Sequence, residues 1–541
     1  MGLVALGVAS CSESFLDVES KTESTTANFY QKDSDAYRAL IGCYDGWQCT
    51  VASGPTFTFQ HTSMLLSDEC FGAYGVSDAR NAQVIDRFDL GQDNSQVNLF
   101  NTLWELYYKA IYRCNMLINN MGGNESEEVK NYVGQAKAIR AFCYFDMVRL
   151  FERVPLVLTE TQENIPQSEP AQTYAQIVSD LKSAIESISE AQNNNAGVPA
   201  YDGFITKYSA EAMLARVYLF YSGYYGSDPE GCSKADALAA VEDVISSKKF
   251  DLVENFKDLW PASAAEAYNG AADWSPLEHT TYERGNKECV LTLKFNYTAD
   301  YNGNNDGNRT ICQVSMGRGS VYAYPYGQGW SSCSVNPKLV NAFGSNDSRK
   351  SASIIDCAGE GVESAQDFVS KALKDQREYT GYFNKKFTAL AEYKNGTLQS
   401  AIQDLMAGDW QISQCQDYVI IRYADVLLMA AELGSSNASD YFGKVHSRAT
   451  GSNGTYSLEN LKSERRLEFA FEGIRYWDLL RWGLQDAANT IAESGLVTKT
   501  AGNDDVVVID AANITAKRGF MQIPQTQISL SNGVLTQNQG W

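Results

Sequence analysis

Apolar side chains recur at steps of three and four residues through long stretches of this chain, the spacing that places them on one face of an α-helix. Between 100 and 121, Leu103, Tyr107, Ala110, Cys114 and Leu117 share a face, with Trp104, Tyr108, Ile111 and Ile118 beside it. A helix this apolar is predicted to pack on more than one side. Glu127 to Arg149 continues the pattern through Val133, Ala136, Ile139, Ala141, Phe142, Phe145 and Val148, and Pro155 marks its end. Further helices are predicted at about 173–190, 206–225 and 234–248, and toward the C-terminus over Ile420 to Leu433 and Ser463 to Trp482, the last capped by Ser463. Steps such as Ala141/Phe145 and Ala215/Leu219 let helices approach closely, as tetratricopeptide-like pairs do, although no clean period of about 34 residues is present.

The middle of the chain breaks this pattern. From about 255 to 410 it is rich in Gly, Asn, Ser and Tyr, with a long polar turn over Asp300 to Asn308 and four aromatics among turn formers in Tyr322 to Trp330. Long loops inside a helical scaffold are usually functional or disordered, and the aromatic content argues against disorder. The sequence therefore predicts a mainly α fold: a helical scaffold over about 30–250 and 415–485, and a loop-rich portion over about 255–410 that carries a ligand site.

Composition narrows the chemistry. Hydrophobic residues make up 44% and charged residues 20% of 541, a globular balance. The net charge of −22, with no Lys/Arg run, argues against nucleic acid and suits a neutral ligand, though solubility alone accounts for such a charge. The histidines His61, His279 and His446 stand apart in no metal-ligand spacing. There is no GxSxG elbow, Walker loop, HExxH or dinucleotide fingerprint. Among 12 cysteines there is no CxxC pair, and most read as small buried hydrophobes. Asn302, Asn304, Asp306 and Gly307 partly resemble a calcium loop, but Gln313 stands where a bidentate Glu belongs, so the plain turn is the better reading. Glu468 and Glu472 with Arg475, and Asp478 with Arg481 or Arg475, are spaced for structural ion pairs along one helix. Neither catalysis, a cofactor nor a metal is predicted.

What remains is an aromatic set. Pyranose rings offer apolar C–H faces that stack on indole and phenol, while Asn, Asp and Arg satisfy the hydroxyls; Tyr and Trp also give large contact area at little cost in side-chain entropy. The candidate ligand-binding residues are Trp274, Tyr282, Tyr301, Tyr322, Tyr324, Tyr326 and Trp330 of the loop-rich portion, with Tyr74, Arg80 and Asn81 of an earlier loop. The competing reading is that individual rings plug the loops onto the helices. At the start, Leu3 to Ser10 is a short apolar run ending in small residues before Cys11, similar to a bacterial lipobox; it lacks a preceding Lys or Arg, and a buried strand is the alternative.

Several segments together resemble one family. Ser463 to Gly483 (SERRLEFAFEGIRYWDLLRWG), Arg422 to Glu432 (RYADVLLMAAE), Ala138 to Phe142 followed by Val154-Pro155-Leu156, and Ile523-Pro524 followed by Leu535 to Asn538 are similar, in order and spacing, to signatures of the SusD/RagB family of outer-membrane nutrient-binding lipoproteins of Bacteroidetes. The resemblance implies a SusD-like fold on four tetratricopeptide-like helix pairs, with a single domain over 11–541 following a signal-peptide remnant at 1–10. It implies lipid on Cys11, placement on the cell surface at the outer membrane, and a SusC-like TonB-dependent transporter as partner in polysaccharide utilization. The expected function is capture of oligosaccharide or polysaccharide without catalysis; the alternatives are a secreted all-helical glycoside hydrolase and a binder of peptide or glycopeptide nutrients. The signature helices are scaffold, so the resemblance supplies no ligand-binding residue.

Overall fold

The computed structural model describes residues 29–52, 54–198, 203–264, 286–295, 307–317, 323–365, 368–401 and 410–541. Eight helices carry the scaffold: Asp33–Ala52 (α1), Asn101–Met121 (α2), Glu127–Phe151 (α3), Pro170–Ser187 (α4), Lys207–Tyr225 (α5), Lys234–Ser246 (α6), Tyr423–Glu432 (α7) and Ala438–Thr450 (α8). They pack as the four pairs α1/α2, α3/α4, α5/α6 and α7/α8, and α2/α3, α4/α5 and α6/α7 pack in turn, so each pair buries its neighbour's apolar face. Local chemistry sets the ends. α4 opens on Pro170 with a Glu169/Gln172 capping box, α5 on Thr206/Ser209, and α6 on Ser233/Asp236. α5 closes at Gly226, whose φ of 73° is the left-handed C-terminal cap. α1 has no counterpart in the sequence reading, although Ala36, Leu40, Cys43, Trp47 and Val51 carry the helical spacing and are buried.

The helix predicted over 463–482 is two helices. Leu458–Glu468 (α9) is capped by Ser457, which accepts from the amide of Asn460 at 3.1 Å, so Ser463 lies inside a helix and not at its start. Arg475–Trp482 (α10) follows a reversal in which Phe471 and Gly473 adopt φ of 67° and 76°. Phe469, Ala470 and Phe471 are all buried, so the apolar spacing runs unbroken through a turn. The ion pairs differ accordingly. Asp478 does pair with Arg481, at 2.8 Å, but Arg475 pairs with Asp68, also at 2.8 Å, and not with Glu468 or Glu472.

Those two glutamates belong to a buried charge network centred on Arg422. Its Nε donates to Glu472 at 2.8 Å; its terminal nitrogens donate to Glu472 at 2.9 Å, to Glu468 at 2.9 Å, to the Glu468 carbonyl at 3.1 Å, and to Glu288. All five guanidinium N–H groups therefore have acceptors. Arg448 pairs with Glu288 and Glu468, and Arg349 with Asp347, Glu464 and Glu468. Burial alone would raise the Glu468 carboxyl, but Arg448, Arg422 and Arg349 overcome it and hold the group at about 2. Asp425 is likewise held at about 2 against burial by Arg465 and Arg216, and Glu432 at about 2 by Arg481.

These shifts fix a pH dependence. The depressed carboxylates stabilise the fold above their unfolded values near pH 4–4.5, and that contribution is lost as pH falls from about 4.5 through about 2. Glu69 and Glu211 act in the opposite sense. Burial, with Asp68 beside the first and Asp243 beside the second, raises them to about 8 and 9. Their contribution is present below about pH 4.5 and is lost as pH rises toward those values. The urea midpoint is expected to peak near about pH 5 and to fall on both sides; a midpoint that holds level down to about pH 3 would contradict the network's role.

Between 253 and 417 no described element exceeds six residues. The strands Cys70–Gly72 (β1), Cys289–Leu293 (β2), Cys333–Val335 (β3), Ile354–Asp356 (β4), Tyr382–Asn384 (β5), Ala391–Lys394 (β6), Thr397–Ser400 (β7) and Tyr418–Arg422 (β8) form antiparallel two-stranded ribbons. β1/β3 and β2/β8 attach this irregular portion to the scaffold; β4/β5 and β6/β7 lie within it. It has its own small core, including Met316, Tyr326, Phe368, Phe383 and Leu390. A C-terminal hairpin, Glu493–Thr500 (β9) with Asn503–Ile509 (β10), completes the fold and reaches Tyr379 through a bridge at Lys499. Among the described residues no helix is long and apolar enough to cross a membrane.

Candidate ligand-binding surface

The short helix Arg309–Val314 organises the irregular portion. Thr310 is tied to the scaffold through its hydroxyl contact of 2.7 Å with Thr58. The amides of Trp330, Ser331 and Ser332 donate to the carbonyls of Cys312, Ser315 and Gln313 at 2.9, 2.9 and 3.0 Å. On the other side, Arg309 donates to the Gln411 carbonyl at 3.1 Å and the Asn308 amide group to that of Gln416 at 2.9 Å. Two separate loops are thus fixed on one helix, and their rings meet: Trp330 and Trp410 stand 5.4 Å apart at 47°, both half-buried.

The segment leading to Trp330 lies against residues 389–391. The Gly327 amide donates to the Ala389 carbonyl at 2.7 Å and the Ala391 amide to that of Pro325 at 2.9 Å. This holds Tyr324 beside Tyr393 of β6, ring centres 5.4 Å apart at 37°, with Tyr393 56% exposed. Glycine is required at two places here. A Cβ on Gly327 would lie 2.5 Å from the Leu390 carbonyl oxygen, and one on Gly329 2.4 Å from that of Ser315. Gly327→Ala must push the segment off its support. It is expected to cost about 1–3 kcal/mol of stability, read by thermal melting, and to weaken ligand retention because both ring pairs hang on this segment.

The sequence candidates separate into distinct fates. Tyr324 and Trp330 reach the surface, each beside a ring the sequence did not nominate. Tyr326 is 3% exposed, a plug in the small core whose hydroxyl donates to Glu360 while Lys385 lies 5.6 Å over its ring. Tyr74 is 6% exposed and donates to Gln313 at 2.6 Å, so neither ring presents a face to a ligand. That bond also accounts for Gln313, which is turned into the core. Asn81 opens a short helix and its side chain turns to the adjoining backbone, accepting from the Ala82 amide at 2.8 Å. Arg80 is exposed and lines a separate polar cleft of about 310 Å³ with Arg377, Glu378, Asp505 and Asp510; none of the ring candidates lines it. Burial raises the Glu378 carboxyl there to about 7. Trp274, Tyr282, Tyr301, Tyr322 and Cys11 lie outside the described residues, as do Asn302, Asn304, Asp306 and His279.

One described pair has the spacing of a nucleophile and its base: Ser332 Oγ and His61 Nε2 at 2.8 Å. Both are fully buried, and no substrate reaches a sealed hydroxyl. His446 bonds Glu464 at 2.8 Å. Among the described residues no cluster of three His, Cys, Asp or Glu side chains could hold a metal.

Stacked helix pairs that hold an irregular face with paired surface rings define a helical-repeat scaffold. The chain belongs to the SusD family: the SusD family model matches residues 287–541, and a model described as starch-binding associating with outer membrane matches 14–219. It is 26% identical over 487 residues to a SusD-like protein P2 of Formosa agariphila, covering 84% of each chain, and 23% identical over 501 residues to a SusD-like protein of Bacteroides ovatus, covering 88% of this chain and 81% of the relative. Its fold is shared with a laminarin-binding SusD-like protein (TM-score 0.67, 22% identity, 94% of this chain and 99% of that one). It is also shared with surface glycan-binding protein A from Bacteroides fluxus (0.72, 22%, 94% and 100%), and with that from Bacteroides thetaiotaomicron in complex with laminarihexaose (0.69, 19%, 94% and 99%).

Proposed function

We propose that this chain is a cell-surface glycan-binding protein that captures oligosaccharide or polysaccharide and delivers it, uncleaved, to a SusC-like TonB-dependent transporter, held at the outer membrane by lipid on Cys11. The observation that carries the reading is the presence of two surface ring pairs, Trp330/Trp410 and Tyr324/Tyr393, each with one ring on the segment 324–330 that backbone hydrogen bonds hold in place. Aromatic rings set by backbone hydrogen bonds offer sugar faces a platform that loses little entropy on binding. The laminarin and laminarihexaose ligands of the structural neighbours support the same reading and make laminarin the first probe. Among the described residues, the polar cleft with Glu378, whose carboxyl burial raises to about 7, is one place a hydrolase would use.

Native gels cast with dissolved laminarin, starch and other neutral polysaccharides test this with a soluble form beginning after Cys11. At least one glycan is expected to retard the protein without new reducing ends appearing. Sugar release that is lost in Glu378→Gln would overturn the reading in favour of hydrolysis, and retention by peptide alone would overturn it in favour of a peptide binder. In cells, Cys11→Ser is expected to move the protein out of the membrane fraction.

A further inference from the structure

A second aromatic surface lies in the helical half. Along the outer side of α2, Trp104, Tyr108 and Tyr112 follow at four-residue steps, which sets them about 6 Å apart along the axis. They floor an open cleft of about 610 Å³, within the size range of small-molecule sites. The floor climbs from the core to solvent: Trp104 is 3% exposed, Tyr108 half-buried and Tyr112 48% exposed. Tyr108 is locked in place, its hydroxyl donating to the Pro155 carbonyl at 2.9 Å and its ring 5.3 Å from that of Trp104. Ile165 and Leu530 form the walls, and Leu530 is 66% exposed.

The rim decides what this cleft suits. Its lining carries two acids, Glu105 and Glu163, and two bases, Lys109 and Arg113, a balance unlike the chain's net charge of −22. Arg113 is held by Asp45 and by the Gly42 carbonyl, and Glu105 by the side-chain amides of Asn101 and Gln527. Lys109 and Glu163 make no ion pair or side-chain hydrogen bond among the described residues, leaving a donor and an acceptor in the lining of the cleft. A stepped aromatic floor, hydrogen-bonding groups in the lining and a balance of acids and bases there complement an uncharged polyhydroxylated ring. We propose that this cleft is a second binding site for a neutral oligosaccharide, separate from the rings of the irregular portion. The inference rests on the glycan-binding reading above. Its consequence is avidity: a polymer long enough to span both sites meets the second at high effective concentration.

Isothermal titration with a short oligosaccharide of whichever glycan retards the protein tests this. The unmodified chain is expected to bind two per chain, and Tyr112→Ala/Lys109→Ala, both exposed positions, to bind one. The same double variant is expected to hold the long polysaccharide about tenfold more weakly. A stoichiometry of one, unchanged in this variant but abolished in Trp330→Ala/Trp410→Ala, would overturn the second site and leave the first standing. Failure of every glycan to bind would overturn both. Displacement of an apolar dye from the cleft by a hydrophobic peptide but not by sugar would assign it to a peptide partner and overturn the proposal.

Discussion

Arg422→Met is expected to lower the unfolding free energy by about 3–5 kcal/mol, the largest loss from any single change at the scaffold's charge network. Arg422 is 1% exposed at its side chain and satisfies Glu288, Glu468 and Glu472 together. Methionine fills much of the volume but leaves these buried carboxylates short of a cation, and an uncompensated buried charge costs far more than the pair gained. Arg448, Arg349 and Lys386 remain nearby, so the carboxylates are not left bare, which sets the upper bound. Arg422→Lys keeps the charge with three donors in place of five and is expected to lose about half as much. Urea unfolding reads both; a loss below about 1 kcal/mol for Arg422→Met would mean the network carries little of the fold's stability.

The second large effect is on binding. Trp330→Ala/Trp410→Ala is expected to weaken affinity for the captured glycan by about 100-fold in a chain that still folds, with an unfolding midpoint lowered by the packing the two indoles lose against the two cores. A sugar face covering about 60 Å² of ring contributes about 1.5 kcal/mol at 25 cal/mol/Å², so two indoles supply about 3 kcal/mol. Both rings are half-buried at the surface, and the backbone bonds that hold the Trp330 segment do not depend on either side chain. Tyr324→Ala/Tyr393→Ala removes smaller rings, one of them more than half exposed, and is expected to cost about tenfold. Tyr326→Ala provides the contrast: it opens a cavity in the small core and is expected to lower stability by about 3 kcal/mol.

The scaffold was legible because helical burial writes a period into the chain. α2, α3, α5 and α6 follow that period closely. The same signal misled at 463–482, because Phe469 to Phe471 are buried in a turn and the period reports burial, not backbone conformation. The charge network was invisible for a different reason. Arg422 and Glu468 are 46 residues apart, and only the packing of β8 against β2 and α9 brings them to one point. At the ligand surface the residue types and the region could be read, but the facing of each ring could not. Tyr324 and Tyr326 are two residues apart, one at the surface and one in the core, because Tyr326 bridges to Leu390 and turns its ring inward. Trp410 and Tyr393 could have been found by extending the aromatic count to the end of the loop-rich stretch. Nothing local in the sequence pairs them with Trp330 and Tyr324.

The most direct measurement is a crystal structure of the soluble chain with an oligosaccharide of the glycan that retards it. A pyranose ring is expected to lie flat against Trp330/Trp410 or Tyr324/Tyr393, with its glycosidic bonds intact. Sugar seated only in the Arg80–Glu378 cleft, or a cleaved product there, would contradict it.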